Sequence, residues 1–248
     1  MLEQLFQICY TFFVISDFEG RTGNTVKRVK VSNNVIRRLP RYLRKLDELQ
    51  ENGVSRVSSF ELGQQLGLTP SQIRQDFSNF GEFGQQGYGY NVAALRDQIA
   101  AILGMNREFC AILIGAGNIG HALMTNFSFS DCGVRLVAAF DVRDSLVGTE
   151  LEGVPVYHAS ELRDYIKTHE VQIAVLCVPK EAASSVTEML IENGIEAIWN
   201  FTNVELTEPN SPIIVENVHF SDSLLSLSYY ISERMDENSR ETRPEKKN

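Results

Sequence analysis

Apolar residues over positions 33–81 recur at spacings of three and four, the period of an amphipathic helix. Three such stretches follow one another, and glycines at Gly53 and Gly67 separate them. Pro40 fits only a first turn or a kink, so we predict that the first helix starts at Leu39 or Pro40 and ends before Gly53. The pattern therefore predicts a small domain of short helices at the start of the organised chain.

Capping signals mark the starts of the second and third helices. Ser58 and Glu61 have the S-x-x-E spacing of a capping box, which predicts the start of the second helix. Thr69 is a favourable N-cap and Pro70 suits the first helical position, which predicts the start of the third. Gln72 has the spacing of a further capping box with Thr69.

The third helix has one apolar face and one polar face. Ile73, Phe77 and Phe80 lie at i, i+4 and i+7, which predicts a buried stripe, and Gly81 predicts the end of the helix. The polar face carries Ser71, Gln72, Arg74, Gln75 and Ser78. Two short helices joined by a Gly-containing turn are typical of a helix-turn-helix, and Arg and Gln side chains suit guanine and adenine edges. DNA binding is one hypothesis, and a plain helical bundle with a solvated face is the alternative.

A glycine-rich segment, "FGEFGQQGYGYN", follows the third helix at residues 80–91. Its alternating apolar residues (Phe83, Tyr88, Tyr90, Val92) and the turn sequence "GQQG" predict a β-hairpin. A hairpin directly after a recognition helix indicates the wing of a winged-helix domain. The segment lacks the preceding strand and following helix of a phosphate-binding loop, so we do not assign it to a nucleotide. Asn91 then predicts the N-cap of a fourth helix, and a linker covers residues 104–108.

From residue 109 the pattern changes to short apolar runs that alternate with helical segments. We predict strands in "FCAILI", "RLVAAFD", "QIAVLCVP", "IEAIWNF" and "PIIVENV". Continuous apolar runs are typical of parallel strands buried on both faces. The predicted fold is therefore α/β, a winged helix-turn-helix domain followed by a Rossmann-type doubly wound parallel sheet and a C-terminal helix.

The first of these strands leads into "GAGNIG", a G-x-G-x-x-G motif followed by a helix. Gly115 permits a tight turn, Gly117 lets the backbone approach a pyrophosphate, and Gly120 lets the helix pack on the strand. Asp141 ends the next strand and is placed to bind a ribose 2′-hydroxyl, which favours NAD over NADP. Arg143 lies two residues further on and would soften that preference. The context makes dinucleotide binding the strongest prediction from the residues.

Residues that follow parallel strands meet in the crevice at the carboxyl edge of the sheet. Val178 and Pro179 follow one strand, Asn200 ends another, and His219 precedes the last helix. The last helix, "SDSLLSLSYYISERM", has an apolar face that either covers its own sheet or docks on a partner subunit.

Charge is divided unevenly along the 248 residues. Residues 1–108 hold 13 Lys and Arg against 11 Asp and Glu, whereas residues 109–248 hold 10 against 21. A basic segment that includes Arg41 on an acidic body indicates a local contact with a polyanion, with a solvated helix face as the alternative.

Four cysteines without paired spacing predict neither a disulfide framework nor a zinc site, and we expect no metal and a cytoplasmic location. We interpret residues 1–32 as a poorly organised extension or the result of a start codon placed too early, and favour both over a weak export signal or a membrane span.

The residues also bear on whether the chain is an enzyme. A dehydrogenase needs an acid or base near the nicotinamide, and His219 and Lys180 are the candidates. The dinucleotide domain accounts for the whole second half and leaves no chain for a substrate domain. We therefore predict a sensor with no catalytic residues, and keep two alternatives: an NAD-dependent oxidoreductase with a helical extension, and an adaptor that uses the winged helix for dimerisation.

The chain resembles the redox-sensing transcriptional repressors of the Rex family. The motifs "RLPRYLRKL", "SSFELGQQLGLTPSQIRQDFSNFGEFGQQGYGYNV", "ILIGAGNIGHAL", "VPKEAA", "NFTNV" and "VENVHFSDSL" appear in the family's order over residues 33–233. The resemblance implies a cytoplasmic homodimer that binds double-stranded operator DNA when NAD+ prevails and releases it when NADH binds. It also implies a C-terminal helix exchanged between subunits.

Site residues and domains follow from the residues and the resemblance together. The predicted DNA-binding residues are Arg41, Ser71, Gln72, Arg74, Gln75, Gln85, Gln86 and Gly87. The predicted NAD(H)-binding residues are Gly115, Ala116, Gly117, Asn118, Ile119, Gly120, Asp141, Val142, Val178, Pro179, Asn200 and His219. The predicted divisions are an extension (1–32), a winged-helix domain (33–108), a Rossmann domain (109–221), a dimerisation helix (222–235) and a disordered tail (236–248). The chain departs from the family pattern in two ways. Glutamines stand at position 75 and at the wing tip, where many relatives have basic residues, and Asn126 stands where many have a tyrosine.

Overall fold

A computed structural model of the chain describes residues 31–80, 88–206 and 213–241. The fold divides into two units, one up to Ile99 and the other from Ala100 onward. The predicted wing tip at Gln85, Gln86 and Gly87, the end of the third helix at Gly81, and residues 1–30 lie outside the described residues.

The first unit is mainly helical. Its elements are α1 (Asn33–Glu51), β1 (Arg56–Val57), α2 (Ser59–Leu66), α3 (Pro70–Ser78), β2 (Tyr90–Asn91) and α4 (Val92–Ile102), and the division between the units falls within α4. The capping box of Ser58 and Glu61 is confirmed, and so is the Thr69 N-cap, whose hydroxyl accepts a hydrogen bond from the Gln72 N–H. Among the described contacts, the Gln72 side chain does not complete the predicted second capping box. Asn91 likewise accepts from the Ala94 N–H at the start of α4.

The predicted start of the first helix is wrong. Helix α1 begins at Asn33 and carries Pro40 in its interior. Proline removes one i→i−4 hydrogen bond, but its ring lies on the exposed side of α1. Val35 and Leu39, on the turns around it, are buried at 7% and 0% exposure, and this packing favours continuing the helix across Pro40.

Only residues 88–91 of the predicted wing hairpin are described, and two of them pair with a strand that the pattern did not predict. Tyr90 and Asn91 form antiparallel pairs with Val57 and Arg56. Val92, the last residue of the predicted hairpin alternation, is the first residue of α4, as the predicted Asn91 cap requires.

The second unit contains a seven-stranded sheet. Its strands are β3 (Phe109–Ile114), β4 (Val134–Asp141), β5 (Glu150–Leu151), β6 (Val154–His158), β7 (Ile173–Leu176), β8 (Ala197–Asn200) and β9 (Ile214–Asn217). Its helices are α5 (Asn118–Asn126), α6 (Leu162–Thr168), α7 (Lys180–Glu192) and α8 (Phe220–Glu241), with short 3₁₀ turns at Ser130–Cys132 and Ala159–Glu161.

The strand order is β5-β6-β4-β3-β7-β8-β9, and every pair except β5–β6 is parallel. The chain moves outward from β3 to β4 and β6, then returns to the other side of β3 through β7, β8 and β9. This arrangement confirms the predicted doubly wound sheet and places its switch point between β3 and β7. The predicted strands in the second unit are confirmed within a few residues, while β5 and β6 were missed.

Two apolar clusters cover the faces of the sheet. One contains Ile112, Phe140, Leu176 and Leu190, and the other contains Leu113, Val156, Val175 and Phe201. Because neighbouring residues of each central strand enter opposite clusters, these strands are apolar throughout, as the continuous runs indicated.

Helix α8 is longer than predicted. It runs from Phe220 to Glu241, so residues 236–241, which we placed in a disordered tail, are helical. Neither Gly nor Pro interrupts this polar segment, and the preceding turns nucleate it. Among the described helices, none combines the length and apolarity that a membrane crossing requires.

Candidate functional sites

The glycine turn after β3 lies at the switch point of the sheet. Gly115 has φ +94°, and a Cβ there would lie 2.7 Å from the Cys177 carbonyl oxygen. A Cβ on Gly120 would overlap the Gly115 carbonyl oxygen and the Leu113 side chain. Both glycines are therefore required by the protein's own packing, as the motif predicts.

Gly117 differs from the other two glycines. A Cβ there would meet no protein atom within 4 Å, and the residue is the N-cap of α5. The open space at Gly117, called the cradle below, lies beside the first-turn N–H groups of Asn118 and Ile119, which a helix leaves without intrahelical partners. This cradle fits a pyrophosphate, since phosphate oxygens accept from such groups and the helix dipole favours negative charge.

Asp141 ends β4, beside β3, and is 6% exposed. Its carboxylate accepts hydrogen bonds from Arg143: Oδ1 from the backbone N–H and Nε, each at 2.9 Å, and Oδ2 from Nη2 at 3.0 Å. Hydrogen bonding to this guanidinium holds the pKa of Asp141 below its usual range, so the carboxylate is ionised at neutral pH. The adjacent Val142 is 73% exposed, and Ala116 is buried.

Asn200 ends β8 and is fully buried. Its Nδ2 donates to the Val204 carbonyl (2.8 Å) and to Asn217 Oδ1 (2.7 Å), and its Oδ1 accepts from the Thr202 N–H (2.9 Å) and hydroxyl (2.7 Å). These bonds use both donors and both ordinary acceptor positions of the amide. Asn200 therefore holds the ends of β8 and β9 together, and a ligand contact would have to replace one of these bonds.

The remaining predicted ligand residues lie at other strand ends. Val178 is half-buried after β7, and Pro179 is the N-cap of α7. His219 directly precedes α8, and its Nε2 lies 3.1 Å from Glu205 Oε2. The pairing occupies one ring nitrogen of His219 with a carboxylate.

Cys177 also lies at the switch point, immediately after β7. Burial raises the pKa of its thiol to about 12. The thiol therefore stays protonated at neutral pH and is a poor nucleophile. A thiolate-based redox reaction at this position is disfavoured.

In the first unit, α2 and α3 meet through a tight turn. A Cβ on Gly63 of α2 would lie 2.5 Å from the Leu68 carbonyl oxygen, and Gly67 ends α2 with φ +68°. The close approach at Gly63 brings the turn against α2, which is the geometry of a helix-turn-helix. The sequence pattern indicated Gly67 but not Gly63, because a mid-helix glycine has no local signal of what packs on it.

The exposed face of α3 carries the predicted DNA-binding side chains. Arg74 is held by two hydroxyls: Nη1 donates to Ser59 Oγ at 2.9 Å, and Nη2 donates to Ser71 Oγ at 3.2 Å. Gln75 is exposed and Gln72 is half-buried. Arg41 lies on α1 and donates from Nη2 to the Leu66 carbonyl at the end of α2 (2.9 Å).

Sequence reasoning missed a buried polar cluster behind this face. Asp76 is 2% exposed and accepts two 2.7 Å hydrogen bonds from Arg38 and one of 2.6 Å from the Tyr42 hydroxyl. Phe77 packs edge-on against Tyr42 and Tyr90 at centroid distances of 5.0 and 5.3 Å. These contacts set the position of α3 against α1 and β2. The one signal in the sequence was an acidic residue directly beside the Ile73 and Phe77 stripe.

Two family models match the chain. A model described as the N-terminus of a putative DNA-binding protein matches residues 30–78, and one described as a CoA binding domain matches residues 106–204. Among curated proteins, the redox-sensing transcriptional repressor Rex of Caldicellulosiruptor saccharolyticus is 47% identical over 209 residues, which cover 84% of this chain and 95% of that protein. The chain belongs to the Rex family. Rex of Clostridium beijerinckii is 46% identical over 84% of the chain and 98% of its own length.

Solved Rex structures agree with this assignment. RSP, a Rex-family repressor, matches with TM-score 0.78 and 42% identity over 88% of this chain and all of its own. RSP in complex with β-NAD+ and operator DNA matches with TM-score 0.77 and 43% identity, covering 89% and 100%. RSP in complex with β-NADH matches with TM-score 0.78 and 41% identity, covering 87% and 99%.

Membership of the Rex family confirms the predicted fold and the predicted redox-sensing repressor. The curated Rex relatives are transcriptional repressors, so the prediction of a regulator is confirmed and the oxidoreductase alternative is not favoured. Across the described part of the chain, no group of three or more His, Cys, Asp or Glu side chains is placed to hold a metal.

Proposed function

We propose that this chain is a repressor that binds operator DNA as a homodimer and is released when NADH binds. The observation that carries the proposal is the glycine turn of the second unit, which leaves open space at Gly117 and has the ionised Asp141 at the end of the neighbouring strand. The first unit of the same chain contains a helix-turn-helix. The RSP structures with NAD+ plus operator DNA and with NADH support the same pair of ligands.

Operator contact is assigned to α3 and the wing. The proposed DNA-binding residues are Arg41, Ser71, Gln72, Arg74, Gln75, Gln85, Gln86 and Gly87. Arg74 is the central one, because its guanidinium is exposed yet held by Ser59 and Ser71, and a pre-positioned fork binds guanine with little loss of entropy.

Dinucleotide contact is assigned to the carboxyl edge of the sheet. The proposed residues are Gly115, Ala116, Gly117, Asn118, Ile119, Gly120, Asp141, Val142, Val178, Pro179, Asn200 and His219. The α5 N-terminus would hold the pyrophosphate and Asp141 the adenosine ribose. NADH or NAD+ supplies no chemistry to the repressor and acts as a sensed ligand.

Dimerisation is assigned to α8. Phe220, Leu224, Leu227 and Ile231 recur at helical spacing, and each is between 52% and 64% exposed within one chain. A stripe of large apolar side chains along a helix of 22 residues needs a partner. The proposed partner is a second copy of this chain, because a two-fold dimer buries the same stripe from both chains and matches the symmetry of a palindromic operator.

Release by NADH requires two states of the dimer. Tight operator binding needs two α3 helices about 34 Å apart, one turn of DNA, or a multiple of that distance. NADH shifts the dimer toward the state with the wrong spacing only as far as it binds that state more tightly than the other. Raising the population of that state from about 1% to about 99% requires an affinity ratio of about 10⁴. The nicotinamide ring is neutral in NADH and cationic in NAD+, so an apolar enclosure around it favours NADH.

The same proposal sets the organisation of the chain. Residues 33–108 form the DNA-binding domain, residues 109–221 the NAD(H) domain and residues 222–235 the core of the dimerisation helix. We place the regulator in the cytoplasm, where NADH and DNA are both present and cysteines remain reduced.

Operator binding titrated across NADH/NAD+ ratios tests the proposal. DNA fragments are first selected from a random-sequence pool with the NAD+-loaded protein, and binding is then followed by fluorescence anisotropy at constant total dinucleotide. We expect palindromic fragments, and bound DNA that falls as the NADH fraction rises. Equal retention of DNA with and without low micromolar NADH would contradict the sensor, and failure to enrich any sequence would contradict the repressor.

A further inference from the structure

Arg143 lies over the carboxylate that the adenosine ribose is proposed to use. Its Nε and Nη2 donate to the two oxygens of Asp141 at 2.9 and 3.0 Å, and its backbone N–H donates to Oδ1 at 2.9 Å. Nη2 also donates to the Ala116 carbonyl in the glycine turn at 2.8 Å. Arg143 therefore bridges the end of β4 and the dinucleotide cradle.

These bonds occupy most of the acceptor capacity of Asp141. A carboxylate has about four lone-pair positions, and Arg143 uses three of them. A ribose 2′-hydroxyl that donates to Asp141 must share the remaining position or displace the guanidinium. The acid that normally selects a free 2′-hydroxyl is thus already paired with a cation.

The pairing also changes what a 2′-phosphate meets. An unpaired carboxylate repels a phosphate, which is how this acid excludes NADP(H). Here the carboxylate is 6% exposed, while the Arg143 side chain is 51% exposed and brings the guanidinium to the surface. A 2′-phosphate approaching from solvent therefore meets a cation, and the guanidinium Nη1, which the bonds to Asp141 and Ala116 do not use, can donate to a phosphate oxygen.

We infer that Arg143 makes this site accept dinucleotides that carry a 2′-phosphate, so that NADPH binds as well as NADH. The inference rests on the proposed function, since it concerns the same dinucleotide site. It adds that the regulator senses both reduced nicotinamide pools, and that Arg143, rather than Asp141 alone, sets its preference between them.

Calorimetric titration of the full chain with NADH and with NADPH tests the inference. We expect NADPH to bind within about tenfold of NADH. Arg143→Met keeps the length of the side chain but removes its charge, and it should weaken NADPH at least about tenfold. NADH should bind at least as tightly as it does to wild type, because Asp141 regains acceptor positions for the ribose 2′-hydroxyl. Arg163→Met, an exposed arginine of α6 with only a 3.7 Å contact to Glu192, is the matched control and should change neither.

The outcomes separate this inference from the proposed function. If NADH binds but NADPH is more than about a hundredfold weaker, or if Arg143→Met weakens both ligands equally, the inference fails and the sensor stands. If neither dinucleotide binds the wild-type chain, both fail. Arg143→Met leaves the nearly buried Asp141 carboxylate without its guanidinium, so a urea titration measures the loss of stability and establishes that the variant is folded under the conditions of the binding experiment.

Discussion

Arg38 of α1 donates two 2.7 Å hydrogen bonds to the two carboxylate oxygens of Asp76, which lies on the buried side of α3. The bidentate pair joins residues 38 positions apart and is completed by the Tyr42 hydroxyl. The helix proposed to read DNA is therefore held by a charged pair beneath its exposed face. Stability of the first unit and the orientation of α3 depend on the same side chains.

Replacing Asp76 by Ala should destabilise the first unit by about 2–4 kcal/mol, because Arg38 and Tyr42 would lose a buried acceptor. Asp97→Ala removes an exposed carboxylate 3.3 Å from Arg96 and should cost less than about 0.5 kcal/mol. Urea unfolding followed by far-ultraviolet circular dichroism measures both, since the single tryptophan, Trp199, lies in the second unit. Equal effects of the two variants would contradict the role given to the Asp76 cluster.

Tyr42 should make the stability of the first unit depend on pH in the alkaline range. Burial, followed by the hydrogen bond to Asp76, raises the pKa of its phenol well above the ordinary value near 10. Its stabilising contribution is therefore complete below about pH 10 and is lost as the pH rises toward the folded-state pKa. Tyr42→Phe should be less stable than wild type at pH 8, and the difference between their urea midpoints should shrink from pH 9 to pH 11. Parallel pH curves would show that the phenol does not titrate with unfolding.

Substitutions of Arg74 should show whether its side chain contacts base edges or the phosphate backbone. Arg74→Ala should weaken binding to the selected operator about 10- to 100-fold, the range expected for one bidentate contact to guanine. Arg74→Lys keeps the charge without the fork, so it should recover affinity for random DNA but not for the operator. Anisotropy titrations with both DNAs measure the difference. Full recovery of operator binding by lysine would assign Arg74 to the phosphate backbone.

Gly117 and Gly120 should fail in different ways when replaced by alanine. Gly117→Ala adds a methyl group to open space at φ −69°, so stability should change by less than about 0.5 kcal/mol while NADH affinity falls at least about tenfold. Gly120→Ala drives a methyl group into the Gly115 carbonyl and should cost about 1–3 kcal/mol of stability. Thermal unfolding and NADH titration of both variants provide the comparison. Unchanged NADH affinity in a folded Gly117→Ala variant would remove the cradle from the site.

The apolar stripe of α8 should control the oligomeric state. Leu227→Arg places a charge in the stripe and should raise the dimer dissociation constant at least about tenfold. Asp236→Arg places the same charge on the opposite side of the helix, one turn after the polar Ser232 and Glu233, and should leave the dimer intact. Sedimentation velocity over a range of concentrations measures both. A monomeric wild-type chain would exclude α8 as a dimer interface.

Local signals in the sequence were sufficient for much of the fold. The cap residues Ser58, Thr69 and Asn91 act within three residues of themselves, so the starts of α2, α3 and α4 were predicted correctly. The apolar runs of the second half predicted its central strands, because strands buried on both faces have no polar side. The start of α1 was predicted wrongly because Pro40 is a local signal against a helix, and the burial of Val35 that outweighs it is a tertiary effect.

The sequence by itself determined the helix-turn-helix, the doubly wound sheet and the glycine turn, since caps, periodicity and the G-x-G-x-x-G spacing act over a few residues. Only the tertiary structure decided that Asp76 is paired with Arg38, that Gly63 faces the Leu68 carbonyl, and that Arg143 covers Asp141 and reaches Ala116. Each of these depends on where two side chains or backbone atoms meet after folding. A hydrogen bond or an overlap is decided within about an ångström, and a pattern of residue types does not specify position that finely.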